Sequence, residues 1–280
     1  MKNIPELNPA ALIKQYGLHA DKRLGQNFLH DKFELEYIAA TAEIEDTDTV
    51  LEVGPGVGSL TRYLSNYAHE VVAVELDEKF DRILQVILKP CNNVRVVYGD
   101  ILKLSPNDLG LPPNYIVAAN IPYNITSAII RHLLESESKP RRIVLTIQKE
   151  VAQRICEAPP KMSLLALSVQ VYGRPMITRL IPAAAFYPAP QVDSAVVRIE
   201  IHPDPIIYAP HLPVFFRLIK AGFSQKRKTL RNALSAGLAV STEEVEDLLD
   251  QAKIDPRRRA ETLSLEEWGS LTESRINLKT

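Results

Sequence analysis

The 280-residue sequence predicts an α/β fold, a mostly parallel sheet followed by a small all-helical C-terminal domain. Three observations predict it. From about residue 47, short apolar runs alternate with amphipathic segments. A glycine-rich loop stands between the first of these runs and the segment after it. Near residue 205, Pro203, Pro205, Pro210 and Pro213 crowd together, and beyond them only helical periodicity remains.

Residues 1–30 read as a helical or irregular arm. Thr49–Val53 reads as a strand, followed by the glycine loop and a helix reaching about Tyr67. Glu70–Glu75 is the next strand, followed by a helix over 78–88. Val94–Tyr98 and Tyr115–Asn120 are further strands, and a helix over 126–136 leads to a strand at Arg142–Thr146. Two later strands are expected near 168–172 and 193–201. No strong helical pattern separates them, so an antiparallel edge is expected. The proline cluster divides the chain into a sheet domain, 1–204 with its N-terminal arm, and a small helical domain, 205–280.

Hydrophobic residues make up 46% and charged residues 24%, enough for a sizeable core. The net charge is −1, so any surface for a polyanion must be local. The two cysteines, Cys91 and Cys156, have no metal-type spacing and suit a reducing cytoplasm. The histidines are scattered singly, so no metal is expected. Lys2 precedes polar and proline residues rather than a signal-type apolar run, and no stretch approaches the roughly 20 apolar residues of a membrane span.

The chemistry concentrates at strand ends. In Glu52-Val-Gly-Pro-Gly-Val-Gly-Ser-Leu-Thr61, Gly54, Gly56 and Gly58 let the backbone turn tightly and approach a ligand. The spacing is GxGxG rather than the GxGxxG of dinucleotide folds, which speaks against a nicotinamide dehydrogenase. Glu75 ends the next strand, where a carboxylate can accept hydrogen bonds from both ribose hydroxyls of an adenosine. Taken singly, it reads as a solvated strand-end charge. Asp100 ends the third strand and can accept from an adenine amine, or simply cap its turn. Ligands of open α/β sheets sit at this carboxyl edge.

Asn120-Ile121-Pro122-Tyr123 ends the fourth strand and is the most specific element. The exocyclic nitrogen of adenine is a poor nucleophile, because its lone pair is delocalised into the ring. An acceptor such as the Asn120 side-chain oxygen, with a nearby backbone carbonyl, can draw that nitrogen toward a tetrahedral form. Pro122 stiffens the loop, and Tyr123 offers a flat face for a base. Asn120 has no useful titration, so its contribution is position and electrostatics. By itself the tetrapeptide also reads as a β-turn.

Together these residues resemble the ribosomal RNA adenine dimethyltransferase family, in its small-subunit (16S-type) branch. The resemblance runs from Leu24-Gly-Gln-Asn-Phe-Leu29 through the glycine loop, Glu75, Asp100 and Asn120–Tyr123. It resumes at Phe186-Tyr-Pro-Ala-Pro-Gln-Val-Asp-Ser194 and Phe223-Ser-Gln-Lys-Arg-Lys-Thr-Leu-Arg-Asn232. It implies a Rossmann-like class I S-adenosylmethionine-dependent methyltransferase sheet of seven strands. It also implies S-adenosyl-L-methionine as cofactor, covered by Gln26, Asn27 and Leu29, with Gly54, Gly56, Glu75, Asp100 and Asn120 completing the site. Phe186 would form the second face of a base sandwich opposite Tyr123. The implied reaction puts two methyl groups on N6 of each of two adjacent adenines near the 3′ end of 16S rRNA, within the small subunit or its precursor. One departure stands at Lys161-Met-Ser-Leu-Leu-Ala-Leu167, which keeps the lysine but lacks the tyrosine and glycine of the family's Lys-x-Tyr-Gly-x-Leu pattern.

Arg217, Lys220, Lys226, Arg227, Lys228 and Arg231 fall in a stretch without acids, and Arg257-Arg258-Arg259 forms a second cluster. The expectation is RNA contact through Lys226, Arg227, Lys228 and Arg231, against the bland reading of a solvated face. Phe223 and Phe186 read equally as core or as stacking platforms. Two alternatives remain open from sequence: a large-subunit rRNA methyltransferase conferring antibiotic resistance, and an RNA-binding assembly factor in which methylation is secondary. A cytoplasmic monomer is expected.

Overall fold

The computed structural model describes residues 4–277; Lys2 lies outside them. The strands are β1 Phe28–Leu29, β2 Thr49–Val53, β3 Glu70–Glu75, β4 Val94–Tyr98, β5 Ile116–Asn120, β6 Arg142–Gln148, β7 Gly173–Ile181, β8 Phe186–Tyr187 and β9 Ser194–Ile201. The helices are α1 Pro9–Gln15, α2 Lys32–Thr41, α3 Thr61–Leu64, α4 Asp81–Ile87, α5 Thr126–Glu135, α6 Lys149–Ile155, α7 Leu164–Gln170, α8 Leu212–Gly222, α9 Leu230–Leu238, α10 Thr242–Gln251 and α11 Leu265–Asn277.

Seven strands form one sheet in the order β4-β3-β2-β5-β6-β9-β7, and β1 pairs with β8 in a separate two-stranded ladder. Strands β4, β3, β2, β5 and β6 are mutually parallel, and β9 runs antiparallel to β6. Every residue of β2 is buried, as are the first four of β5. Such unalternating burial belongs to a parallel sheet covered on both faces. The cover includes α5, where Ile129, Ile130, Leu133 and Leu134 fall on one face at helical spacing.

The strand order reverses between β2 and β5: the chain steps outward through β3 and β4, then returns to β5 on the other side. The β2–β5 ladder ends at Leu51 and Val117, short of Val53 and Asn120. A crevice therefore opens between the carboxyl ends of these strands, where doubly wound sheets bind ligands.

The chain divides into two compact units, 1–152 with 175–201, and 153–174 with 202–280. The sequence places one boundary, at 204/205. The structure has a break at 201/202 and also an excursion, 153–174, that joins the second unit. A composition shift marks where the chain leaves a core for good. It does not mark a segment that leaves and comes back.

The expected strand at 168–172 is corrected by the structure. Residues 164–170 form α7, and the strand follows at 173–181. Ser163 decides this locally, its side chain accepting the Ala166 N–H as an N-cap ahead of helix-favouring leucine and alanine. The helix after the glycine loop is also shorter than expected, a single turn at Thr61–Leu64. No helix among the described residues is long and apolar enough to cross a membrane, and none of their His, Cys, Asp and Glu residues group as a metal site.

In the second unit Trp268 is fully buried, with Phe223 at 6.0 Å between ring centroids. Helices α8 and α9 meet at Gly237, where an added Cβ would lie 2.6 Å from the Cα of Ala221. Backbone cannot move aside as a side chain can. Gly237→Ala should therefore destabilise the protein by about 1–3 kcal/mol, read as a lowered midpoint in thermal unfolding followed by circular dichroism.

Candidate cofactor and base-binding site

One cavity lies at the crevice. Gln26, Asn27, Leu29, Gly54, Gly56, Glu75, Asp100, Asn120, Pro122 and Tyr123 all line it. Each arrives from a strand end or from the segment preceding β1, so parallel pairing brings together residues far apart in sequence.

The glycine loop forms the floor. Gly54 and Gly56 have φ of +73° and +56°. At Gly56 a Cβ would stand 2.8 Å from the Phe28 ring, so a side chain is excluded by backbone shape and by space. The Gly56 N–H donates to Glu75 Oε2 at 2.9 Å, and the Asp77 N–H donates to Glu75 Oε1 at 2.9 Å. Glu75 is thus held rigidly at the end of β3. Burial raises its carboxyl above the ordinary range, although both backbone donors work against the shift. Asp100 accepts the Leu102 N–H at 3.1 Å, so its turn-capping role is realised while it also lines the cavity.

Leu24 to Leu29 line the same cavity, and the stretch from Arg23 to Leu29 is tied down at three points. Gln26 Nε2 donates to Asp77 Oδ2 at 3.2 Å, while its Oε1 accepts the Asp21 N–H at 2.8 Å. Asn124 Nδ2 donates to the Arg23 carbonyl at 3.0 Å. Asn120 Nδ2 donates to the Asn27 carbonyl at 2.9 Å. The Gln26 amide is thus engaged at both ends, in fastening this segment.

The bond to Asn27 fixes which way the Asn120 amide faces. Its Oδ1 is buried in the cavity wall with no hydrogen-bond partner. An orphaned buried acceptor is costly and marks a place for a donor. Tyr123 begins the one-turn helix after Pro122, and its phenol oxygen lies 2.6 Å from Ser194 Oγ. Burial pushes the phenol pKa up, so the hydroxyl stays protonated.

Phe186 is 3% exposed and sits in the hydrophobic cluster with Leu29 and Leu35, paired across the ladder with Leu29. It is not among the cavity's lining residues. Lys226, Arg227 and Lys228 are exposed in the turn between α8 and α9, whereas Arg231 is ion-paired with Glu246 at 2.6 Å. Phe223 is half-buried against Trp268. In the second basic cluster, Arg257 pairs with Asp255 and Arg258 with Glu267.

Sequence reasoning passed over Glu52. It is 1% exposed, lines the cavity, and has Oε2 without a partner. Its signal was an acid two residues before Gly54, inside a strand that is otherwise apolar. Burial pushes its carboxyl up to about 8, with the Glu75 charge adding to the rise.

The sequence profile of a family described as ribosomal RNA adenine dimethylase matches residues 17–276. A protein of Dehalococcoides mccartyi named ribosomal RNA small subunit methyltransferase A is 47% identical over 93% of this chain and 90% of its own. One of the same name from Alkaliphilus metalliredigens is 39% identical over 94% of each. Among solved structures, the 23S rRNA methyltransferase ErmE is 28% identical, covering 89% of this chain and 99% of its own, with TM-score 0.72. A dimethyladenosine transferase of Plasmodium falciparum has the same fold, with TM-score 0.76 at 24% identity over 90% of this chain and 98% of its own. The fold is that of a class I, Rossmann-like methyltransferase. The chain belongs to the ribosomal RNA adenine dimethylase family.

Because Glu52 titrates near 8 in the folded protein and in the ordinary carboxylate range when unfolded, the folded state binds the extra proton. This contribution is fully present below the unfolded value and is lost as pH rises through about 8. Glu52→Gln is neutral at every pH and should remove that loss. Melting midpoints of ligand-free protein between about pH 5 and 9 should decline less for the variant; identical slopes would refute the assignment.

Proposed function

We propose that this protein transfers methyl groups from S-adenosylmethionine to N6 of two adjacent adenines near the 3′ end of small-subunit rRNA. The observation that carries this reading is the Asn120 amide: its nitrogen is committed to Asn27 and its oxygen is buried, unpartnered, in a cavity that Tyr123 also lines. An acceptor held that way suits an amine donor on a flat ring.

The residues present fit a sulfonium nucleoside. The cavity wall is acidic, with Glu75 and Asp100 in it; Glu52, which holds its proton up to about pH 8 in the free protein and would ionise beside a cation, has Oε2 buried without a partner. Glu75 would take the ribose hydroxyls, Asp100 the adenine amine, and Glu52 the ammonium of the amino-acid tail. When bound, S-adenosylmethionine supplies an electrophilic methyl on a cationic sulfur.

The protein's own part is to bring the adenine amine into line. Asn120 Oδ1 accepts one N6 hydrogen, pulling lone-pair density out of the ring. Pro122, with φ of −58°, holds the tetrapeptide loop in a stiff turn. Tyr123 stacks the base, which must leave its helix or loop to enter the cavity. Phe186 would meet the opposite face of the base; as placed, it is buried in the cluster with Leu29, so this role requires an outward shift of the β1–β8 ladder.

Lys226, Arg227 and Lys228 are exposed and suit rRNA phosphates. Arg231 would join them by exchanging Glu246 for a phosphate. The small-subunit target is preferred over the large-subunit one because relatives named for the small subunit are 38–47% identical, against 28% for ErmE. The setting we propose is a cytoplasmic monomer acting on the small subunit or its precursor.

Asn120→Ala should slow methyl transfer to unmethylated small subunits by about 10²–10³-fold, while calorimetry still detects S-adenosylmethionine binding. Wild-type rates in that variant would end the reading. Separately, reversing charge at Lys226, Arg227 and Lys228 should weaken RNA binding. The slope of log affinity against log salt should fall by about one for each phosphate no longer neutralised, with cofactor affinity unchanged.

A further inference from the structure

Tyr123 needs more than its own loop to serve as a stacking face. It is the first residue of a single helical turn, and the residue before that turn, Pro122, makes no side-chain cap. Thr126 Oγ1 reaches the Pro122 and Tyr123 carbonyls only at 3.3 Å each. A ring attached there at Cβ alone would swing about its first torsion.

The far end of the ring is anchored instead. The Tyr123 phenol oxygen and Ser194 Oγ are 2.6 Å apart, and Ser194 is fully buried. Ser194 is the first residue of β9 and lies in register with Gln148 of β6. Its neighbour Asp193 is fixed twice: its carbonyl accepts the Lys149 N–H at 3.0 Å, and its carboxylate accepts the Ala183 N–H at 3.1 Å. The Ser194 hydroxyl is thus placed by the sheet's own ladder. Asn120 is placed by the same sheet, at the end of β5, in register with Thr146 of β6. Acceptor and ring are therefore referred to one rigid frame, through β5 on one side and through β6 and β9 on the other.

We infer that Ser194 is a positioning residue for methyl transfer, holding the Tyr123 ring where a base can lie on it with its amine at Asn120 Oδ1. This rests on the adenine reading above. Ser194 touches neither the base nor the methyl donor and acts through Tyr123. Losing it leaves the ring present and the cavity lined but lets the ring wander, which costs the reacting geometry and not ground-state binding. Removing either hydroxyl breaks the same bond, so the two losses are one loss.

The test is a double-mutant cycle on Ser194→Ala, Tyr123→Phe and the pair together, each checked by thermal melt. Unmethylated small subunits serve as substrate and S-adenosylmethionine binding is measured by calorimetry. Each single change should lower kcat by about tenfold. KM and cofactor affinity should stay within about twofold of wild type, and the double variant should be no slower than either single. A Ser194→Ala enzyme with wild-type kcat would overturn the inference, as would losses that multiply in the double variant. If Ser194→Ala does not fold, Tyr123→Phe decides alone, since it keeps the ring: an unchanged kcat overturns the inference and a tenfold loss with unchanged KM supports it. A wild-type protein that methylates no adenine would instead bring down the parent reading, and this inference with it.

Discussion

The hydrogen bond from Asn120 Nδ2 to the Asn27 carbonyl is the interaction on which the rest of the site depends. A side-chain amide has two faces, a donor and an acceptor, and in a loop it would flip between them. Committing the donor to main chain leaves the oxygen aimed into the cavity. That oxygen is then a buried acceptor with no partner, a state folding ordinarily avoids. The sheet supports this cost: β5 is buried through its first four residues and pairs on both sides. Strain of this kind gathers where a protein keeps a place for something else.

A second, electrostatic constraint acts through the cavity wall. Glu52 and Glu75 are both buried and both raised, and the Glu75 charge adds to the cost of charging Glu52. Backbone N–H groups from Gly56 and Asp77 offset the cost for Glu75. Glu52 Oε2 lacks any such partner. Glu52 is thus neutral near pH 7 in the free protein and ionises beside a positive charge, so a cationic group reaching it gains more than at the surface. The near-neutral charge of the whole chain conceals this local imbalance.

Much of the fold was legible because parallel strands are written in short apolar runs that need no partner to be recognised. Strands β2 to β6 fall where the runs fall, within about two residues at their ends. The miss at 168–172 has a definite cause: apolar residues in a short run suit a buried helix as well as a strand, and Ser163 tips the balance through its cap. β7 was hidden because Gly173, Pro175, Arg174 and Arg179 give it neither alternation nor a continuous apolar run. In the site, the glycine loop, Glu75, Asp100 and the Asn120 tetrapeptide announced themselves by residue type at strand ends. Glu52 did not, because an acid within a strand reads as an exception until its burial is known. Nor did Ser194, whose role comes from a neighbour 71 positions away; Arg231 was legible as a basic residue, but its pairing with Glu246, which needs the helical unit to be folded, was not.

The segment fastened at the cavity ties its own order to the aim of Asn120. Gln26 to Asp77, Asn124 to Arg23 and Asn120 to Asn27 are three latches on one short stretch of chain. One of the three is the bond that aims Asn120. Any loosening of that stretch that breaks this bond frees the Asn120 amide to turn. The order of the segment and the aim of the acceptor therefore rise and fall together.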